Sequence, residues 1–476
     1  MIIGRDKEIS ILKSALNDDR SHFIAVYGRR RIGKTFLVRE AYNYRFTFQH
    51  AGLSEGGLKE QLFEFESSIK DAGGNPNYNR KNWLEAFEDL KDLIRASSEK
   101  KKVIFIDELS WMDTQNSDLK IALENFWNGW ASGRKDIVLI VCASATSWLL
   151  SNIVHSKGGL YNRLTEQIAL FPFSLAECEQ YVKEFGLTFS REQILQYYMV
   201  FGGVPFYWTF LEKGKSITQN IDSILFEKTA PLKDEFKYLF ASIFSRPEPY
   251  IRIVKSLGKK KAGMTREEII ETSNLSNSGD LTNRLEELES CGFIRKYSAY
   301  GMKKKNAVYQ LIDNFTLFFY RFMENGVTDE HFWTNQVNTP AVNTWHGLAF
   351  ERVCLEHIMQ IKKSLGISGV ITETCSWYCR SNPDLGIQGS QIDLLIVRKD
   401  QVINLCEMKY SNTEYTINKK DDSDIRRKVS DLQAGTKTKY AIFPTLITTY
   451  GLVDNSYSGG IQSVITIDDL FKGYLF

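Results

Sequence analysis

The sequence predicts an α/β protein in several parts. These are a parallel-sheet core around a phosphate-binding loop, a helical segment, a small helix-and-hairpin module and a second α/β domain. Three stretches carry the prediction. "HFIAVYGRRRIGKTFLVREAY" reads as strand, glycine-bounded loop and helix in that order. The run Val103–Ile106 in "KKVIFIDELSW" reads as a buried parallel strand ending in two carboxylates. "QIDLLIVRKDQVINLCEMK" reads as a hairpin turning about Asp400.

Composition bounds the rest. A chain of 476 residues suggests three or four domains, at about 100–200 residues each. Hydrophobic residues are 43% and charged residues 25%, a globular mixture, and the net charge of +2 leaves any nucleic-acid binding to local clusters. "MIIGRDKEIS" lacks a signal-peptide core, and "DIVLIVCASATSWLL" is too broken by small polar residues to span a bilayer. The expectation is a cytoplasmic protein with no membrane contact. Seven cysteines without an export signal read as reduced thiols. Cys354, His357, Cys375 and Cys379 include a C-x-x-H spacing that zinc could use, but they lie on an apolar helix and a strand, where core packing is expected.

In the first stretch, Gly28, Gly33, Lys34 and Thr35 fit G-x-x-x-x-G-K-[ST] with both expected flanks. Glycines let backbone N–H groups turn inward around phosphate oxygens, and the helix N-terminus adds partial positive charge. Lys34 suits the β- and γ-phosphates of ATP, and the Thr35 hydroxyl suits Mg2+. Asp107 falls at a strand's C-terminal edge, where open α/β sheets bind ligands, and suits the magnesium shell. Glu108 suits orienting or deprotonating the attacking water. "YRFTFQHAG" is a further strand candidate, and the interval before Asp107 leaves room for a strand between the two nucleotide-binding ones. Ser144 and Thr146, after another buried strand, either sense the γ-phosphate or cap the strand.

Taken in order, "IIGRDKEISILKSAL", "GRRRIGKT", "VIFIDEL", "VCASATSWL", "GGLYNRLTEQIALFPFSLAE" and "GGVPFY" resemble the archaeal-type ATPases of prokaryotes, a branch of the AAA+/STAND NTPases. The resemblance covers roughly the first half of the chain. It implies a P-loop NTPase core, and it implies that Arg163 answers to the γ-phosphate from the same or a neighbouring subunit. The neighbouring case would bring nucleotide-dependent homo-oligomers. It also places Arg5 near the adenine. Ala143 stands where the family usually has glycine before the sensor serine. Arg29, Arg30 and Arg31 read as solvated loop charges.

Beyond the core, Ser174 with Glu177 and Ser190 with Gln193 have capping-box spacing and open two helices that resemble the AAA+ helical lid. From about Arg246, three short helices and an alternating pair of strands read as a winged helix. Ser278, Asn283 and Arg284 on its third helix are candidates for a DNA groove, although Asp280, Glu286, Glu287 and Glu289 share that helix. Lys259–Lys261 and Lys303–Lys305 are candidates for phosphates.

If the last hairpin is symmetric about Asp400, Asp393 faces Glu407 and Lys409 shares their face. Two opposed acids call for a cation between them. Asp–hairpin–Glu-x-Lys resembles the PD-(D/E)XK nucleases, without the proline directly before Asp393; "PD" occurs earlier, at Pro383–Asp384. That resemblance implies Mg2+ at Asp393 and Glu407, a further carboxylate from Glu351 and an accessory role for Gln433. The organisation expected is a P-loop core over 1–170, lid over 171–245, winged helix over 246–325 and an α/β nuclease-like domain over 326–476. Function then divides two ways. Either ATP hydrolysis controls a magnesium nuclease acting on DNA, or a STAND-like ATP switch acts through a protein partner and its nuclease fold is inert.

Overall fold

In the computed structural model, which describes residues 2–155, 158–244, 246–301 and 307–473, five parallel strands form the first sheet. They are β1 (His22–Tyr27), β2 (Phe48–Ala51), β3 (Lys102–Asp107), β4 (Ile137–Ala143) and β5 (Glu166–Ala169), in the order β2-β3-β4-β1-β5. Successive side chains point to opposite faces, and both faces are covered. Phe23, Ala25, Ile104 and Ile106 enter one core; Ile24, Val26, Val103 and Phe105 enter the other. This is why the strands are unbroken apolar runs, each fully buried Val, Ile or Phe contributing about 1.5–3 kcal/mol.

A strand does lie between the two nucleotide-binding strands. It is β4, which follows Asp107 in sequence, while β2 from the preceding interval takes the outer edge. Burial of β4 at all seven positions fits that central place.

The chain divides into two units, Met1–Pro172 with Ser242–Ser245, and Phe173–Ala241 with Arg246–Phe476. In the second unit, the helices Leu175–Glu184 and Arg191–Phe201 both start with complete capping boxes, Ser174 with Glu177 and Ser190 with Gln193. The next module has helices Glu248–Gly258, Arg266–Ser273 and Gly279–Ser290. They pack with β6 (Met264–Thr265), β7 (Ile294–Tyr297) and β8 (Val308–Leu311), antiparallel in the order β6-β8-β7. Lys303–Lys305 lie outside the described residues.

The last sheet is mixed. β9 (Thr372–Cys379), β10 (Ser390–Arg398) and β11 (Val402–Lys409) are antiparallel, and β12 (Ala441–Thr448) and β13 (Ser463–Ile465) continue parallel to β11. The return from β11 to β12 needs a crossover, which the helix Lys419–Thr436 supplies. Leu432 of that helix packs with Trp377, Ile392, Leu395, Ile403 and Leu405. In the hairpin, Leu394 faces Cys406 and Val397 faces Ile403, a register centred on Asp400. The paired register ends at Leu394, one step short of Asp393 and Glu407, and β10 shifts register against β9 between Ile392 and Leu395.

Candidate functional site

The phosphate loop follows β1 and ends at the helix Lys34–Ala41. Gly28 has φ +145°, and a Cβ there would stand 2.3 Å from the Leu170 carbonyl oxygen, so neither conformation nor space admits a side chain. Gly33 caps the helix at φ +87° with open space around it; there the backbone alone selects glycine. Lys34 is buried, and its Nζ donates to the carbonyl oxygens of Gly28 (3.0 Å) and Arg29 (3.1 Å) and to Ser144 Oγ (3.4 Å). Thr35 Oγ1 donates to Asp107 Oδ2 at 2.6 Å. A hydroxyl and a carboxylate side by side are the oxygen donors that a hard divalent cation takes, so this pair fits magnesium.

Glu108 holds φ +48°, in the left-handed region, which for a non-glycine residue costs on the order of 1–3 kcal/mol. Its side chain is held by Ser144, whose backbone N–H donates to Oε2 at 2.9 Å and whose hydroxyl donates to Oε1. Ser144 therefore bridges Glu108 and Lys34. A small side chain there both ends β4 and touches the two groups that would face a γ-phosphate.

The remaining arginines divide. Arg5 is buried and donates from Nη2 to the Phe171 carbonyl at 2.6 Å. Arg29, expected to be solvated, is 5% exposed and lies within the fold. Arg163 is exposed three residues ahead of β5. Ile24 pairs with Glu166 and Tyr27 with Ala169, so β5 starts at the sheet edge away from the phosphate loop. Of the two expectations for Arg163, that register disfavours contact with the nucleotide of its own subunit.

In the second unit, Glu351 on the helix Pro340–Glu356 and Asp393 on β10 converge on one cation, the Lys261 ammonium. Its Nζ is 2.7 and 2.8 Å from the two Glu351 oxygens and 3.2 Å from Asp393 Oδ2. Glu407 pairs closely with Lys428 of the crossover helix. Lys409 lies on β11 at the level of Thr448. Burial raises the Glu351 carboxyl above its ordinary range. Burial pushes Asp393 upward too, but Lys261, together with a 2.7 Å hydrogen bond from Gln391, holds it below the ordinary carboxylate value.

Among the described residues, no three His, Cys, Asp or Glu side chains gather as a metal cluster. The expected set Glu351, Asp393 and Glu407 is thus split: two acids share Lys261, and the third has its own lysine. Glu351 and Asp393 still fit a divalent ion in donor chemistry, since both already ligate one positive centre. Gln433 is exposed on the crossover helix; Lys428, earlier on that helix, is the residue that reaches the acids. Sequence reasoning missed Lys428 and Gln391. Gln391 was findable, being two residues from Asp393 on one strand and so on the same face. His357 is a packed core residue: Nδ1 hydrogen-bonds the Val353 carbonyl at 2.8 Å, and Nε2 accepts from the Leu175 N–H at 3.1 Å.

Residues 2–208 match the ATPase domain found predominantly in Archaea, and residues 317–423 match a family described as archaeal and bacterial proteins of unknown function. An uncharacterised protein of Methanocaldococcus jannaschii is 24% identical over 441 residues, 90% of this chain and 92% of that one. An uncharacterised ATP-binding protein of the same organism is 38% identical over 40 residues, 8% of this chain and 68% of that one. Among solved structures, the Walker-type ATPase of Pyrococcus abyssi aligns over 67% of this chain and 96% of its own, at 17% identity and TM-score 0.48. The Aeropyrum pernix ORC2 protein aligns over 75% and 96%, at 13% and 0.41. Both scores lie below 0.5, so the domain match and the phosphate-loop geometry carry the assignment. Residues 2–208 thus carry an ATPase domain of the kind found predominantly in Archaea, and the match supports ATP binding and hydrolysis by this part of the chain.

Proposed function

We propose that ATP turnover in the first unit controls a divalent-metal, nuclease-like site in the second, for DNA processing or defence. The observation that carries this reading is the convergence of Glu351 and Asp393 on a single cation from two different elements. At the phosphate loop, Lys34 would exchange its carbonyl partners for the β- and γ-phosphates. Glu108, held by Ser144, would orient the attacking water, and Thr35 with Asp107 would hold magnesium, which supplies charge neutralisation between the phosphates. Arg5 would sit by the adenine. Arg163 would serve the nucleotide of a neighbouring copy, making ATP-dependent oligomers the expected state; sedimentation showing only monomer with ATP would remove that role.

In the second unit, Glu351, Asp393 and Glu407 would hold the divalent ion, whose chemistry when bound is to polarise a phosphodiester and activate water. Lys409 would face the developing charge. The module of three helices and three strands, read as a winged helix, would hold duplex DNA. Its third-helix Arg284 is paired at 3.7 Å with Asp280, a long contact that a phosphate would replace. A second reading is favoured by the two lysines already neutralising the acids. In it the nuclease-like fold is inert, and the ATPase acts as a STAND-like switch on a protein partner.

Cleavage of plasmid and linear DNA with magnesium or manganese, with and without ATP, separates the two. The first reading expects cleavage that Asp393→Ala abolishes. Lys34→Ala should lower ATP turnover at least about 10²-fold and alter the ATP dependence of cleavage. Absence of cleavage under every nucleotide, with ATPase activity intact, selects the switch.

A further inference from the structure

Lys261 is the one lysine of the "GKKKAG" turn that enters the acidic pair, and the surrounding chain is built to keep it there. Its carbonyl oxygen accepts from Arg352 Nη2 at 2.8 Å and from Gln310 Nε2 at 2.6 Å. The adjacent Ala262 carbonyl accepts from the Tyr297 hydroxyl. Gln310 is oriented in turn by Arg295 Nε at 2.7 Å, whose guanidinium lies 4.8 Å from the centre of the Tyr297 ring. Arg352 is the next residue after Glu351 on the same helix and is 6% exposed. A backbone anchored on two sides delivers the ammonium to one place.

Glu351 and Asp393 are only 15% and 28% exposed, and partly buried ion pairs recover little beyond their desolvation cost, so stability alone does not explain this anchoring. Its consequence is occupancy. The ammonium stands within 3.2 Å of oxygens from both acids, where a divalent ion would need to bind, and like charges exclude one another there. The Lys261 side chain nevertheless remains 39% exposed, beside exposed Lys259 and Lys260, so an anion from solvent can reach it.

Resting on the metal-site reading above, we propose that Lys261 is a phosphate-responsive gate. Without nucleic acid, its ammonium fills the Glu351–Asp393 pair as a tethered cation; a DNA backbone phosphate draws it off and opens the pair to a divalent metal. No covalent step is involved, only an exchange of partners. Lysine goes from carboxylates to phosphate, and the carboxylates go from lysine to metal.

The test is Mn2+ binding, read from the free-ion EPR signal, with the full chain free of nucleotide and carrying Thr35→Ala to weaken the phosphate-loop site. A site open about 10% of the time or less gains about tenfold or more in affinity when its plug is removed. Lys261→Met should show that gain, and Lys261→Arg, which keeps the charge, should not. The backbone bonds that anchor the turn survive both substitutions. Measured against the same duplex without protein, whose phosphates bind Mn2+ themselves, a short DNA duplex should tighten Mn2+ binding to the parent and leave that of Lys261→Met unchanged, while a methylphosphonate duplex lacking backbone charge should do nothing. If Lys261→Met binds like the parent while Asp393→Asn binds more weakly, the site stands and the gate is overturned. If Lys261→Met tightens but the charged duplex has no effect on the parent, phosphate is not what opens it and the proposal fails. If neither Lys261→Met nor Asp393→Asn alters binding, the metal reading falls and takes the gate with it.

Discussion

The phosphate loop and the acidic pair are both charged sites, but they are held ready by different means. At the loop, backbone does the positioning: glycines set its path, and Lys34 rests on two main-chain carbonyls that any phosphate can outbid. At the acidic pair, side chains do it, and both charges are already met by Lys261. A site built from backbone waits for its ligand with its geometry intact. A site closed by side-chain charge must lose a partner first. The difference teaches that identical donor chemistry can be open or shut according to what neutralises it.

The largest effect should come from breaking the backbone-built site. Gly28→Ala places a Cβ against the Leu170 carbonyl and strains a positive φ. The first unit should lose about 3 kcal/mol, read by urea unfolding, and ATP binding should fail with it. Retained ATP binding at full stability would mean the loop path is not what organises the site.

Acid should follow. Burial holds His346 and His357 in the second unit near pKa 4, and likewise His50 in the first. Each imidazole is neutral when folded and takes a proton only near pH 4, whereas the unfolded chain takes it near 6.5. Unfolding is therefore promoted as pH falls from 6.5 to 4 and is unaffected by these groups at higher pH. Each contributes up to about 3 kcal/mol across that window. The first unit adds His22, which burial also pushes down, so both units should lose stability across this window, visible as a fall of each melting temperature with pH. Melting temperatures that hold level between pH 6.5 and 4 would show that the buried histidines are not what responds to acid.

The smallest effect runs the other way. Glu66, 1% exposed on the helix Leu58–Asp71, is pushed up to about 8 by burial and then by neighbouring Asp89. Its stabilising contribution is complete below the unfolded value and lost as pH rises through 8. Glu66→Gln should stabilise the first unit by about 2 kcal/mol more at pH 8 than at pH 6. Equal gains at both pH values would show that charge is not the cause.

The nucleotide site was largely legible in the sequence because its signals are local. Gly28 to Thr35 is one loop, and Asp107–Glu108 ends one strand. The hairpin register was legible too, since a short turn about Asp400 leaves few alternatives. What could not be read was tertiary. The position of β4 between β3 and β1 depends on crossover packing, and Lys261 meets Glu351 across 90 residues of chain. The lysine run promised phosphate contacts, but no spacing tied it to a carboxylate. Arg29 misled for a related reason: a charge in a loop reads as solvated until the loop folds over it.

Glu108 carries a consequence for how this chain can change. Its left-handed backbone favours glycine or asparagine, so either replacement would relax the main chain while discarding the carboxylate. On the role proposed for Glu108, selection for robustness and selection for turnover would pull on this one position in opposite directions. A lineage keeping glutamate there would retain turnover at the expense of a more durable protein; one drifting to glycine would gain durability and keep a nucleotide-binding shell that no longer consumes what it binds.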